Sequence, residues 1–88
     1  MISTYQNFFL ESCAYEQNVE YCGNDVAIQT ATDDTNCQKL CQHNAECNFW
    51  SFDRTDQVPV CWMKSSDSGR RSSAHFQWVS GPKFCSKF

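Results

Sequence analysis

Seven cysteines at positions 13, 22, 37, 41, 47, 61 and 85 of an 88-residue chain constrain its fold more than any other feature. A chain this short buries a modest share of its surface, so its apolar core is thin and usually needs reinforcement. Cysteine at this density supplies it as covalent cross-links, which persist in an oxidising compartment. The sequence reads as one small secreted or cell-surface domain. An odd cysteine count leaves one thiol free or bonded to something beyond these residues.

No segment offers the roughly 18 apolar residues of a membrane span. The apolar cluster Phe8 to Leu10 is far too short for a signal-peptide core. The expectation is a single module, residues 1–88 with its core at 13–85, excised from a larger multi-module protein, with Met1 an expression start. Ten acidic and seven basic residues are spread through the chain, for a net charge of −3. No broad basic face results, so nucleic acid is not an expected partner. No Asn-X-Ser/Thr acceptor for an N-linked sugar occurs.

The spacing predicts one helix over about residues 33–44. Asp33 or Asp34 can cap its first N–H groups, and Cys37, Leu40, Cys41 and Asn44 recur on one face. Asn44, tolerant of a left-handed conformation, is the expected stop. Aromatic and β-branched residues predict strands at Phe8–Tyr15, Val26–Thr30, Asn48–Asp53, Val60–Lys64 and His75–Val79. Asp53–Pro59 and Ser65–Ser73 read as loops. The expected fold class is α+β: a small disulfide-rich fold with an antiparallel sheet of about five strands packed against one helix.

Cys37-x3-Cys41-x5-Cys47 is the informative constellation. Two cysteines four apart on a helix point the same way, so one can reach the segment just after the helix and the other the sheet. Cys47 suits the first task and Cys61 the second. A cysteine near the N-terminus is left to meet Cys85.

Gly23-Asn24-Asp25, then Cys37-Gln-Lys-Leu-Cys41, Cys47-Asn-Phe-Trp50-Ser-Phe52, Cys61-Trp-Met63-Lys64 and Val79-Ser80-Gly81-Pro82 with Cys85 together resemble an Apple domain of the PAN superfamily. The resemblance runs from Cys13 to Cys85. It implies the bonds Cys41 with Cys47, Cys37 with Cys61, and Cys13 with Cys85. Cys22 departs from the family pattern; it is unpaired, or it replaces Cys13 as the partner of Cys85. With its extra cysteine and many aromatic residues, the chain is most similar to Apple modules of coccidian microneme adhesins, which occur in tandem. The chain-entropy relation gives about 2.4 kcal/mol for the loop closed by Cys41 and Cys47, about 3.5 for Cys37 and Cys61, and about 4.4 for Cys13 and Cys85.

Side chains alternate along a strand, so if Cys61 faces the helix, Met63 does too and Trp62 faces away. The resemblance implies that Trp50 and Phe52 face the helix, which turns Phe49 to the same outer face as Trp62, where the two could pair across strands. The alternative is that both lie covered by the N-terminal segment, with Phe8, Phe9 or Trp78 as lids. In the Ser65–Ser73 loop, Arg70 and Arg71 could grip a carboxylate, a sulfate or sialic acid, or they are simply solvated loop charges.

Zinc is not expected, because Cys37, Cys41, His43 and Cys47 match no common knuckle spacing and have disulfide roles. Catalysis is not expected either. His43 sits at a helix end and His75 opens a strand, with no nucleophile elbow or cysteine-protease signature nearby. The resemblance implies a non-catalytic, cofactor-free extracellular module that binds a host-cell protein, a glycan or a companion adhesin, without inserting into a membrane. Two alternatives remain: an Apple module of a serine-protease zymogen of the contact-phase clotting type, and a purely structural spacer.

Overall fold

The computed structural model describes residues 15–55, 57–73 and 77–84. In chain order these form β1 (Glu16–Gln17), β2 (Val19–Tyr21), β3 (Asp25–Thr30), α1 (Asp34–Gln42), β4 (Phe49–Asp53), β5 (Val60–Lys64), β6 (Arg70–Ser72) and β7 (Trp78–Pro82).

Asp33 starts the helix. Its backbone is extended and its Oδ1 accepts the Asn36 N–H at 2.8 Å, satisfying one of the donors that a first turn leaves unpaired. Asp34 in the first turn and Lys39 in the last complement the helix dipole. The end differs from expectation: α1 stops at Gln42, and the His43 N–H caps it by donating to the Lys39 and Leu40 carbonyls at 3.2 Å each. Asn44 is not left-handed; Asn18, Gly23 and Asn24 are the described residues with positive φ. The Asn44 side chain instead accepts the Glu46 N–H at 2.9 Å, forming the turn that delivers Cys47.

Five strands form one antiparallel sheet in the order β1-β7-β4-β5-β3. Register places Trp50 between Met63 and Gly81, and Phe52 between Cys61 and Val79. These side chains share the face that meets α1, where they enclose Cys37, Cys41 and Cys47 in one buried cluster. Cys37 bonds Cys61 across the helix–sheet interface and Cys41 bonds Cys47 just past the helix end, both with Cα atoms 5.3 Å apart. Tyr15 packs edge-on against Trp50, ring centroids 4.9 Å apart, and donates its hydroxyl to Gln38 Oε1 at 2.6 Å. Burying each large apolar side chain of this layer is worth about 1.5–3 kcal/mol.

β5 spans the expected residues, and β3 and β4 differ from expectation by one residue at their starts. Of the strand expected at His75–Val79, His75 and Phe76 lie outside the described residues and β7 runs from Trp78 on to Pro82, past Ser80 and through Gly81, whose missing side chain admits the close approach of Trp50 and so outweighs its poor strand propensity. The strand expected at Phe8–Tyr15 lies outside the described residues, apart from Tyr15, which is in no strand. The stretch Ser65–Ser73 is not all loop. Arg70–Ser72 form β6 and pair with β2 as a separate two-stranded ribbon, Arg71 directly opposite Glu20. Opposite charges in that position favour pairing.

Candidate ligand-binding surfaces

The face of the sheet turned away from α1 carries Phe49 and Ser51 of β4, Trp62 and Lys64 of β5, Ile28 and Thr30 of β3, and Ser80 of β7, by alternation from the register. The β2–β6 ribbon lies over the β4–β7 part of it. Tyr21 is buried there, its ring edge-on to Phe49 with centroids 5.7 Å apart, and its N–H donates to Ser51 Oγ at 2.8 Å. The Ser51 and Ser80 hydroxyls are 2.7 Å apart, and Ser80 Oγ donates to the Val19 carbonyl. Phe49 is therefore half-buried under Tyr21. Its direct cross-strand neighbour is Lys64, while Ser51 stands opposite Trp62, so the two aromatic rings are diagonal. Phe8 and Phe9 lie outside the described residues, and the lid over Phe49 is Tyr21.

The β5–β3 part of the face is uncovered among the described residues. Trp62 is half-buried there, directly opposite Ile28, which is 56% exposed. Lys64, only 3% exposed, ion-pairs with Asp25 and holds its ammonium 5.5 Å from the Trp62 ring centroid. The Trp62 indole N–H is buried without an acceptor among the described residues.

Arg70 and Arg71 do not form one grip. Neighbours along β6 point to opposite sides, so Arg70 shares a side with Tyr21, toward the sheet, and Arg71 shares the outer side with Glu20. The Arg70 guanidinium forks onto Glu16, Nη2 to Oε2 at 2.7 Å and Nε to Oε2 at 2.9 Å. That hydrogen bond holds the Glu16 carboxyl below the usual carboxylate range. Burial first, and the hydroxyl's bond to Glu16 at 2.6 Å second, push the Tyr21 phenol well above its ordinary value. Arg71 is the more available, its side chain 66% exposed and both its Nε and Nη2 resting on the single oxygen Oε1 of Glu20.

Sequence reasoning missed Glu16, Glu20 and Tyr21, the groups that orient both arginines. Glu20 and Tyr21 have as their sequence signal the three-residue alternation Val19-Glu20-Tyr21, too short to read as a strand, and Glu16 lies in a strand of only two residues.

Cys22 is a free, exposed thiol whose N–H donates to the Gly69 carbonyl at 3.0 Å. Cys13, Cys85 and His75 lie outside the described residues, and the Cys13–Cys85 bond with them. His43 is exposed, with Nδ1 2.8 Å from the Lys39 carbonyl oxygen. The Cys37, Cys41 and Cys47 sulfurs are consumed in disulfides, which removes the thiolates a zinc site would use. No helix among the described residues is long and apolar enough to cross a membrane.

A search of curated proteins finds no match to the chain. The family model for the PAN domain matches residues 19–64, more than half of the sequence and the part that holds α1, four of the strands and both described disulfides. PAN domains are generally non-catalytic modules that bind proteins or carbohydrates, and a disulfide-tied module of this kind fits an extracellular setting. With one helix locked to an antiparallel sheet through Cys37–Cys61 and a family match across that unit, the chain belongs to the PAN domain family.

Proposed function

We propose that this chain is an adhesion module that binds a protein or a glycan through the uncovered part of its outer sheet face, with Trp62 as anchor and Arg71 as an outlying anion contact. We further propose that residues 1–88 form one of several tandem modules in a parasite adhesin of the coccidian microneme kind, used in host-cell attachment. The observation that carries the binding reading is the half-buried Trp62 ring opposite the exposed Ile28, on a sheet that a buried disulfide holds to its helix. A flat indole stacks on sugar C–H groups or on a partner's apolar side chain, and the Arg71 fork suits a carboxylate or sulfate. The surplus exposed Cys22 and the aromatic richness of the chain support the narrower adhesin reading. Tandem copies would raise weak single-site affinity through effective concentration.

The test is binding of the purified module to a glycan array and to host cells. Trp62→Ala is expected to weaken binding by roughly tenfold or more, equivalent to about 1.4 kcal/mol, and Arg71→Ala to weaken binding to acidic glycans selectively. A structural spacer would bind nothing that either variant could abolish. A protease domain encoded downstream in the parent reading frame would favour the clotting-zymogen alternative.

A further inference from the structure

A second surface lies at the end of the sheet, where β3 has a free side. Among the described residues nothing pairs with that side. An unpaired strand edge is a row of N–H and C=O groups ready to accept another strand, and proteins guard such edges with short strands, lysine, proline or bulges. The opposite edge, β1, has two residues, and β2 and β6 have three each. β3 has six, Asp-Val-Ala-Ile-Gln-Thr, with neither lysine nor proline. Its bulge falls between Asp25 and Ala27, at one end, leaving Ala27–Thr30 in regular register with Met63–Val60.

Two further features converge on that regular stretch. Ile28 and Val58 are large apolar side chains 56% and 57% exposed, one on β3 and the other just before β5. Where β3 ends, a concavity of about 410 Å³ is lined by Thr30, Ala31, Thr32, Asn36, Val58 and Pro59. Its walls are fixed: the Ala31 N–H donates to the Pro59 carbonyl at 3.1 Å and the Thr32 N–H to Asn36 Oδ1 at 3.0 Å. Charge gives the direction of selectivity. Residues 25–36 contain Asp25, Asp33 and Asp34 and no lysine or arginine. Lys64 answers Asp25, while Asp33 and Asp34, at the start of α1, put negative charge beside the concave end.

We propose that the β3 edge accepts an extended segment of a partner protein as a sixth strand, an apolar segment with basic flanks that seats one apolar side chain against Val58 and Pro59. In such strand addition the main-chain bonds supply affinity and the pocket supplies specificity. A second copy of this chain fits less well, because it would bring the same acidic edge. The inference rests on the binding-module reading; it shares Ile28 with the Trp62 face and adds the strand edge and the Val58–Pro59 concavity, so Val58→Lys is the variant that tests it apart from Trp62 and Arg71.

The experiment titrates the ¹⁵N-labelled, oxidised module with the peptide Lys-Val-Thr-Leu-Thr-Val-Lys, with its glutamate-flanked counterpart, and with a version N-methylated at alternate amides. The lysine-flanked peptide is expected to shift the amide resonances of Ala27–Thr30 and slow their hydrogen exchange. The N-methylated peptide should do neither, and the glutamate-flanked one should bind roughly tenfold more weakly. Ile28→Lys and Val58→Lys, at exposed positions that leave the core intact, should each weaken binding by a similar factor. Equal binding of all three peptides, shifts centred on β6 instead, or no shift at millimolar peptide would overturn the proposal. So would concentration-dependent pairing of the module through β3, which would make a second copy the occupant. Loss of glycan or cell binding in Trp62→Ala with a silent β3 edge would sink this inference alone, whereas β3 binding without any cell or glycan binding would sink only the adhesion reading.

Discussion

Gly81→Ala tests how tightly the helix side of the sheet is packed. Gly81 stands opposite Trp50 in the β4–β7 ladder, and a Cβ placed on it would lie 2.8 Å from Trp50 Cζ2, 3.2 Å from Cε2 and 3.3 Å from Tyr15 Cδ1. Carbon atoms prefer separations of about 3.5–4.0 Å, so the indole must move. It has little freedom to do so, because Trp50 is fully buried, Tyr15 stands edge-on to it, and its Nε1–H donates to the Pro82 carbonyl at 2.9 Å. Overpacking of this kind costs about 1–3 kcal/mol. If the displaced indole also loses its bond to Pro82, unpaired buried groups add about 1–3 kcal/mol. A destabilisation of about 1–3 kcal/mol follows if the bond survives and of about 2–6 kcal/mol if it is lost, and each kcal/mol lowers the midpoint of a domain this size by about 4–8 °C. Urea unfolding of the oxidised protein followed by circular dichroism reads the change. Trp50→Phe, which removes the benzo ring that Cβ would strike, should make Gly81→Ala much less harmful, giving a coupling of about 0.5–3 kcal/mol in the double-mutant cycle. Gly23→Ala serves as the contrast: φ is +77° with open space around the new Cβ, so only backbone strain of about 1–2 kcal/mol applies. A Gly81→Ala effect below about 0.5 kcal/mol, or strictly additive effects with Trp50→Phe, would refute the reasoning.

Removing the Cys37–Cys61 bond as a Cys37→Ser/Cys61→Ser pair should cost about 3.5 kcal/mol in chain entropy, and removing Cys41–Cys47 about 2.4 kcal/mol, because the first bond closes the longer loop; urea midpoints in the reverse order would contradict this. Asp33→Ala should cost about 0.5–2 kcal/mol through the lost cap, with a matching loss of helical ellipticity, while Asp34→Ala, which removes a favourable charge and a long, exposed bond from the Thr35 hydroxyl, should cost less than about 1 kcal/mol. The Arg70 hydrogen bond holds the Glu16 carboxyl below the usual carboxylate range, so its small, solvent-screened contribution is present above that range and fades as the pH falls through the folded pKa. Tyr21 has its pKa raised above 10.0, so its contribution is complete below pH 10 and is lost as the pH rises further, a loss that Tyr21→Phe should abolish in a profile of melting temperature against pH.

The legible parts of this fold are those whose signals are local. Asp33 and the Cys37–Leu40–Cys41 face announce α1 within a few residues, and the runs Phe49–Asp53 and Val60–Lys64 announce the central strands. The helix end was misjudged because the left-handed tolerance of asparagine is a permission rather than a requirement, and Asn44 uses its side-chain oxygen on the Glu46 N–H instead. The ribbon was illegible for another reason. Val19–Tyr21 and Arg70–Ser72 are three-residue strands about 50 positions apart, and a ribbon this short is marginal by itself, held here by the burial of Tyr21 against Phe49 and by the bonds to Ser51 and Ser80. Reading residues 65–73 as a loop made Arg70 and Arg71 neighbours in function, whereas the strand turns them to opposite sides and assigns each its own glutamate.

Which part of the outer face stays open follows from where its polar atoms lie. Ser51 and Ser80 are buried hydroxyls in the middle of β4 and β7, and burying them without partners would cost about 1–3 kcal/mol each. The edge of β2 meets that need, since the Tyr21 N–H reaches Ser51 and the Val19 carbonyl accepts from Ser80. The two hydroxyls bond each other at 2.7 Å, and the ribbon supplies their remaining partners, a donor for Ser51 and an acceptor for Ser80. On β3 and β5 the outward side chains are Ile28, Thr30, Val60 and Trp62, and the buried Lys64 is already answered by Asp25. Among the described residues no comparable hydroxyl pair there is met by a covering strand, and Trp62 and the edge of β3 are the surfaces on which the proposed binding depends.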